Sequence, residues 1–421
     1  MKLNYKRTVL IGFAFLSISA FWQMYDTVIP LILKNSFHLK ETATGLIMGI
    51  DNVLALFLLP LFGGLSDKVT GRFGKRTPFI VCGTILSVIV MLVLPWADNA
   101  RNFPIFIMAL GAVLVSMALY RSPAVALMPD LTPKPLRSKG NAVINLLGAV
   151  GAVYTLIMIK ILVGSGDTPN YYPLFISIAF LMVAAITVLV LTIRENKLRA
   201  SIEELDMSPE QHRQPGKLSP ALRRSLIWIL ISVSLWFMAY NAVISAFSRY
   251  ATIVWRLEGG GYADCLMIAT ISAIISYLPI GIISSHIGRK KTIIGGISLM
   301  AACYLFAAFF TSYHILINIG FALIGIAWAA INVNSFPMVV EMASSAKVGK
   351  FTGYYYAFSM SAQAITPLLS GFFLEYVSYR TLFPYAFGFS LLALLTMSRV
   401  RHGDSKPAQK KELLEHFDID D

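Results

Sequence analysis

The chain has 421 residues, of which 57% are hydrophobic and only 14% charged, and its formal net charge is +13. A soluble globular domain carries about 25% charged residues and cannot bury this much apolar side chain. The composition therefore excludes a water-soluble protein and indicates an integral membrane protein whose solvent is the lipid bilayer.

Membrane-spanning helices need about 20 mostly apolar residues each, and the chain contains twelve segments of this kind. They predict an all-α integral membrane protein with twelve transmembrane helices. Their positions are 9–33, 43–65, 78–96, 104–128, 141–163, 172–193, 222–247, 265–285, 293–311, 314–340, 352–374 and 381–398.

The positive charge is distributed unevenly along these spans. Most of the 35 lysines and arginines lie in the termini and the even-numbered loops. By the positive-inside rule, both termini are then expected in the cytoplasm, and the basic charge reflects topology rather than a nucleic-acid partner. The three cysteines show no metal-ligand spacing, so we expect neither a metal nor a cofactor. The chain lacks an Asn-X-Ser/Thr acceptor, which favours a bacterial protein of the plasma (cytoplasmic) membrane.

A polar stretch, residues 194–224, separates six spans from six. It predicts an N-terminal six-helix bundle (1–193), a cytoplasmic linker (194–221), a C-terminal six-helix bundle (222–398) and a cytoplasmic tail (399–421).

The two halves resemble each other in three places. "YDTVIP" at 25–30 matches "YNAVIS" at 240–245, and the loop "GGLSDKVTGRFGKR" is echoed by "GIISSHIGRKK". The ends of spans 4 and 10 also correspond, so that Arg121 lies opposite Asn332 and Asp130 opposite Glu341. Repeated halves of this kind predict two pseudo-symmetric bundles with a substrate site at their interface.

Two aspartates fall inside apolar spans, Asp26 in span 1 and Asp51 in span 2. A carboxylate within the membrane is costly, and it usually faces a polar interior with a function. Helical rise puts both at a similar depth, where two close carboxylates share a proton or hold a sodium ion. We therefore predict a coupling role for the pair. The alternative is that Asp26 fixes helix packing and that the Asp51-Asn52 pair caps a helix irregularity.

Arg121 is a basic residue deep inside span 4. Its planar fork of donors suits a ligand that carries hydroxyl or carboxylate groups, or an acidic partner across a cavity. A permanent salt bridge is the alternative. Lys160, near the end of span 5, is expected to extend its charge to the interface.

An aromatic residue is followed one helical turn later by a polar one in three of the spans that echo each other. The pairs are Trp22 with Asp26, Trp236 with Tyr240, and Trp328 with Asn332. A ring face beside hydrogen-bonding groups suits a sugar, and we add Tyr25, Asn241, Arg121 and Gln363 to the predicted binding residues. Gln363 and Asn334 have an equally weighted alternative in bonds to neighbouring helices. The alternative for tryptophan is a membrane-interface belt, which fits Trp96 and Trp255.

The loop "GGLSDKVTGRFGKRTPFI" at 63–80 resembles the signature loop of the major facilitator superfamily. Its particular form, with "ALMPDLTPKPLRSKGNAVINLLGAVG" at 126–151, is most similar to the sugar:proton symporters of the plant sucrose-transporter type. These are related to the glycoside–pentoside–hexuronide:cation symporters. The resemblance implies the major facilitator fold and a gating motif. The corresponding residues here are Gly63, Asp67, Arg72, Gly74, Lys75, Arg76, Asp130, Gly288, Arg289 and Glu341.

Some positions depart from these families. The residues before Pro60 read "VLALFLL", so the sodium site of the melibiose-type members is not carried over. Val125 occupies the place of an arginine in the sucrose carriers, and Arg121 lies one turn earlier. Ser285 stands where the second loop usually has an acid.

The resemblance and the residues together predict a proton-coupled symporter that takes up a small sugar or glycoside, with a disaccharide favoured and H⁺ expected rather than Na⁺. A single chain in the lipid bilayer is the expected working unit. Two alternatives remain: a multidrug or small-molecule proton antiporter on the same fold, and a transporter-like sugar sensor. An enzyme is not expected, since no nucleophile–base set appears.

Overall fold

The computed structural model describes residues 4–69, 71–132, 137–164, 169–198, 219–258, 260–342 and 348–403. Twelve long α-helices make up most of these residues, and no strand occurs within the described ranges. The helices are α1 (Tyr5–Asn35), α2 (Glu41–Lys68), α3 (Thr77–Asn99), α4 (Phe103–Asp130), α5 (Arg137–Leu162), α6 (Tyr172–Thr192), α7 (Pro220–Ile253), α8 (Tyr262–Ile287), α9 (Arg289–Ala308), α10 (Leu316–Glu341), α11 (Val348–Tyr376) and α12 (Leu382–Ser398).

Eleven of these helices are long and apolar enough to cross a membrane, and the described apolar part of α8, Tyr262–Tyr277, is shorter. The prediction of an all-α membrane protein with twelve helices is thereby confirmed. Several helices extend beyond the predicted apolar spans. The largest extension is in α7, which continues to Ile253 where the apolar pattern predicted an end at residue 247.

Helix starts follow from local capping chemistry. The side chains of Asn4, Asn102 and Ser219 accept a backbone N–H in the first turn of α1, α4 and α7. In α4 and α7 a proline also stands in the first two positions, where its missing N–H costs no helical hydrogen bond.

The chain divides into two compact units. Unit 1 takes in the described residues of Met1–Leu39, Val53–Pro209 and Glu258–Ala263; unit 2 takes in those of Lys40–Asn52, Glu210–Leu257 and Asp264–Asp421. Much of the predicted linker and of the predicted tail lies outside the described residues, and the predicted domain boundaries stay predictions.

The same set of helix pairs packs in each unit. Unit 1 packs α1 on α5 and α6, and α3 on α4 and α6. Adding six to each number gives the pairs in unit 2, where α7 packs on α11 and α12, and α9 on α10 and α12. The two pseudo-symmetric bundles predicted from the sequence repeats are confirmed.

Helix α1 is held on two sides by buried hydrogen bonds. The Tyr120 hydroxyl on α4 donates to the Ala14 carbonyl at 2.9 Å and also contacts Ser17. The Thr155 hydroxyl on α5 donates to the Ala20 carbonyl at 2.9 Å. Because such bonds fix helices where the hydrophobic effect between them is weak, they orient the turn of α1 that follows, which carries Trp22.

Candidate functional site

The predicted binding residues of unit 1 lie on α1 and α4. The Arg121 guanidinium stands 5.6 Å from the centre of the Trp22 ring, a cation–π distance. Trp22 also meets Tyr25 edge-to-face, with the ring centres 5.3 Å apart. The structure therefore brings together three of the predicted residues.

The residues of this group differ in their exposure to solvent. Tyr25 is buried with 1% of its surface exposed, whereas Trp22, Asp26 and Arg121 are half-buried. The indole Nε1 of Trp22 is buried and makes no hydrogen bond to any described residue. Asp26 follows Trp22 by one helical turn on the same face of α1. The carboxylate, the guanidinium and the indole thus provide an acceptor and two kinds of donor.

In unit 2, Tyr240 on α7 and Trp328 on α10 stack on one another. Their ring centres are 3.7 Å apart and the ring planes differ by 3°. Phe237 meets the same tryptophan edge-to-face at 5.3 Å. Tyr240 therefore covers one face of Trp328, and the three rings form one aromatic cluster. Both residues are half-buried.

Four amide side chains of unit 2 are also among the residues singled out from the sequence. The Asn241 Nδ2 donates to the Phe237 carbonyl at 2.9 Å, which leaves the amide oxygen as an acceptor. Asn334 is buried and donates in the same way to the Ala330 carbonyl, so it contributes to its own helix. Asn332 and Gln363 are half-buried.

Trp236 is fully buried in unit 2, and its Nε1 makes no hydrogen bond within the described part of the chain. Its ring packs against protein in this structure, unlike the half-buried Tyr240 and Trp328. Its predicted contact with substrate stays a prediction.

Asp51 is half-buried and accepts a hydrogen bond of 2.7 Å from the neighbouring Asn52 amide. It belongs to unit 2, whereas Asp26 belongs to unit 1. The predicted pairing of the two carboxylates is therefore not tested and stays a prediction.

The loop after α2 forms a charged cluster around Arg76, which is 4% exposed. Its Nε bonds Asp130 at 2.9 Å, its Nη1 donates to the Gly63 carbonyl at 3.2 Å, and its guanidinium also contacts Asp67 and Ser66. Lys75 adds a 3.0 Å ion pair to Asp130. One arginine thus joins the end of α2, the start of α3 and the end of α4. Charge-assisted hydrogen bonds of this kind hold the three segments in one defined arrangement.

Glu195, just after α6, completes this cluster, and the sequence analysis did not select it. Its carboxylate accepts the backbone N–H groups of Lys75 at 2.8 Å, Arg76 at 3.0 Å and Thr77 at 2.9 Å. These are the unpaired donors at the start of α3, where a negative charge is favoured. Gly74 precedes them with φ of +102°, and a Cβ there would collide with Glu195. The sequence feature that could have identified Glu195 is its position as an acid directly after an apolar span.

The remaining predicted gating residues are placed as follows. Arg72 is exposed, Gly288 adopts φ of +95° as the residue before α9, and Arg289 is half-buried at the start of that helix. The side chain of Glu341 lies outside the described residues.

Comparisons with known proteins agree with this fold. The family model of the Major Facilitator Superfamily matches residues 11–268 and 261–418. An inward-open structure of the xylose transporter XylE from E. coli has a TM-score of 0.69, with 15% identity and 98% of each chain covered. At that identity the likeness shows the fold alone.

Curated relatives match mostly in part. A sucrose transport protein of Arabidopsis thaliana is 33% identical over 113 residues, 23% of this chain and 22% of that protein. Proton-associated sugar transporter A of Mus musculus is 27% identical over 143 residues, 31% of this chain and 19% of that protein. The matched part is thus less than a quarter of these two relatives.

One relative matches over most of its length. An uncharacterized MFS-type transporter of the archaeon Methanocaldococcus jannaschii is 24% identical over 383 residues, 87% of this chain and 88% of that protein. With an archaeal relative of this length, the bacterial origin stays a prediction.

Proposed function

Because this chain belongs to the major facilitator superfamily, and is therefore a membrane transporter rather than an enzyme, we propose that it takes up a small sugar or glycoside together with a proton. A disaccharide is the favoured substrate. The two bundles rock about a central site and expose it alternately to each side of the membrane.

The observation that carries this proposal is the aromatic platform of unit 2. Tyr240 and Trp328 form a flat, half-buried double layer at 3.7 Å. Asn332, one turn beyond Trp328, and the amide oxygen of Asn241 add polar groups on the same two helices. A sugar has an apolar C–H face and a rim of hydroxyl groups, and this platform offers a surface for each.

Unit 1 adds a charged group of its own to this proposal. The Trp22 indole N–H and the Arg121 guanidinium are donors for a substrate oxygen, and the Asp26 carboxylate is an acceptor for a substrate hydroxyl. A sugar hydroxyl both donates and accepts, so it pairs with either kind of group. The names of the relatives support the same substrate class: one is a sucrose transport protein and another a proton-associated sugar transporter.

Asp26 is the proposed proton carrier. One elementary charge moving down the membrane potential supplies about 2.3 kcal/mol per 100 mV, which corresponds to tens-fold accumulation of a co-transported solute. In this proposal the Asp26 carboxyl takes up a proton from outside and releases it inside with the sugar. Asp51 assists from α2.

The remaining features of the proposal follow from the sequence. The protein works as a single chain in the plasma membrane with both termini in the cytoplasm. The Arg76 cluster is the gating motif of the cytoplasmic end, as the resemblance of its loop implies.

Substitution Trp328→Ala is expected to raise the dissociation constant for a bound disaccharide about tenfold or more, because it removes the stacking face. The measurement is equilibrium binding of radiolabelled sucrose and a panel of disaccharides to the purified protein. Trp328→Phe keeps a ring and should lose less. The matched control is Trp96→Ala, which removes an indole that is 52% exposed.

Equal losses in the Trp328 and Trp96 variants would contradict the platform. If the protein binds amphiphilic dyes but none of the sugars in the panel, the result would favour the exporter alternative over sugar uptake.

A further inference from the structure

One end of unit 2 carries a group of basic side chains that the proposed transport site does not use. It is formed by the starts of α7 and α9 and by the residues that follow α12. No acidic residue occurs in the sequence of the three segments 219–232, 288–300 and 392–403. Their exposed lysines and arginines, here called the basic surface, are Arg223, Arg224, Lys291, Arg399 and Arg401.

The residues that follow α12 are fixed across the start of α7. The Ser225 hydroxyl on α7 accepts the Arg401 N–H at 3.3 Å, and its oxygen lies 2.8 Å from the His402 Nδ1. Val400 is fully buried, whereas its neighbours Arg399 and Arg401 are exposed. The chain is therefore anchored at this point while two guanidinium groups remain accessible.

Two further contacts join the three segments. The Arg399 guanidinium stands 4.8 Å from the centre of the Trp228 ring on α7, a cation–π distance. The Lys290 Nζ, at the start of α9, donates to the Ser398 carbonyl at 3.0 Å, at the end of α12. The basic residues of α7, α9 and the chain after α12 thus belong to one surface.

The corresponding end of unit 1 is balanced by acids. There the carboxylates of Asp67 and Glu195 both bond Arg76, the first through its guanidinium and the second through its backbone N–H. In the second half, Ser285 stands in the place of Asp67. Glu195 lies three residues after the end of α6, and Arg401 lies three residues after the end of α12. Two acids of unit 1 therefore have no acidic equivalent in unit 2, and its excess positive charge favours an anionic partner.

Exposed apolar side chains adjoin the basic surface on the same two packed helices. Ile227 is exposed and follows Arg224 by about one turn of α7, and Leu395 is exposed one turn before Arg399 at the end of α12. Trp228, an amphipathic ring of the kind found at membrane interfaces, lies next to Ile227. Charged groups followed by apolar ones, one turn further along each helix, match the order of a phospholipid headgroup and its acyl chains.

We propose that the basic surface binds the headgroup of an anionic phospholipid, with Arg224, Arg399 and Arg401 on the phosphate and the acyl chains along Ile227 and Leu395. A guanidinium suits phosphate because its planar donors bond two oxygens at once. The predicted topology puts this end in the cytoplasm, and the cytoplasmic leaflet is the one that carries anionic lipid. The inference goes beyond the proposed function and needs no sugar.

The test is lipid binding to the delipidated full-length protein in detergent, measured by native mass spectrometry. Phosphatidylglycerol is titrated beside phosphatidylcholine, whose phosphate is neutralised by its own cation. The parent should bind phosphatidylglycerol about tenfold or more tightly than phosphatidylcholine. The double variant Arg224→Gln with Arg401→Gln should weaken phosphatidylglycerol binding about tenfold or more. Both arginines are exposed, so the variant should unfold at the same temperature as the parent in lipid-free detergent.

The matched control is Lys6→Gln with Lys68→Gln. It removes two exposed cations from unit 1, at the start of α1 and the end of α2, which are predicted to face the same side of the membrane. Its affinity for phosphatidylglycerol should stay within about twofold of the parent. Equal losses in the two double variants would overturn the site, because net charge alone would then explain binding. Equal affinity of the parent for both lipids would also overturn it.

Two further arms exclude other anions. Inorganic phosphate should not displace the lipid, because it has no acyl chains; displacement at equimolar concentration would make a free anion the ligand. Removal of residues 405–421, which end in an acidic stretch, should leave lipid affinity unchanged. A tenfold rise on this removal would identify the tail, rather than a lipid, as the occupant. Sugar uptake enters none of these readouts, so failure of the lipid site and failure of the proposed function are distinguishable.

Discussion

Substitution Arg76→Ala is expected to lower the initial rate of substrate uptake by about two orders of magnitude, and the free energy of unfolding by about 3 kcal/mol. The guanidinium is almost fully buried and bonds Asp130, the Gly63 carbonyl and Ser66. Its loss leaves Asp130 without its main counter-charge. Uptake into proteoliposomes and thermal unfolding of the purified protein measure the two effects.

Two further variants define this prediction. Lys68→Ala removes an exposed basic residue at the end of α2 and should leave both measurements near the parent values. Arg76→Lys keeps the charge but loses the planar fork, so its uptake rate should lie between those of the alanine variant and the parent. If Arg76→Ala and Lys68→Ala behave alike, the gating assignment is wrong.

Substitution Asp26→Asn is expected to abolish accumulation of sugar against its gradient while exchange of sugar across the membrane continues. Asparagine keeps the shape of the side chain and one acceptor oxygen but cannot carry a proton. The accumulation ratio should therefore fall from tens-fold to about one. Radiolabelled uptake under a proton gradient and sugar counterflow, measured on the same vesicles, separate the two activities.

The control for Asp26→Asn is Glu258→Gln, which neutralises an exposed acid and should accumulate sugar like the parent. Asp51→Asn tests whether the second carboxylate takes part: an accumulation ratio below that of the parent assigns it a coupling role. If the Asp26→Asn variant still accumulates sugar fully, a group other than Asp26 carries the proton.

The number and order of the helices could be predicted because apolar length is set by the bilayer alone. The end of α7 could not, since Ser245, Ser248 and Arg249 look like loop residues in sequence. All three are buried inside the protein. The Ser245 hydroxyl donates to the Ala242 carbonyl, and Arg249 pairs with Glu41, 208 residues away. A pairing over that distance leaves no local pattern to detect.

The sequence allowed the residues of the candidate site to be selected, but not their arrangement in space. Tyr240 and Trp328 were selected separately from their helical spacing, but their stacking depends on how α7 packs near α10. Helix α10 is apolar on nearly all sides, so its sequence indicates no preferred face towards α7. Glu195 was overlooked because an acid beside Arg194 and Lys197 looks like an ordinary charged linker residue.

The most direct test of proton-coupled sugar uptake is accumulation of radiolabelled sucrose and other disaccharides in proteoliposomes. Uptake is compared with and without an inward proton gradient, at fixed membrane potential and without sodium. We predict tens-fold accumulation of at least one disaccharide that requires the gradient and fails in Asp26→Asn. Uptake of a disaccharide only to equilibrium, unaffected by the proton gradient, would contradict proton coupling. If no disaccharide in the panel is taken up, the proposal that the substrate is a disaccharide is wrong.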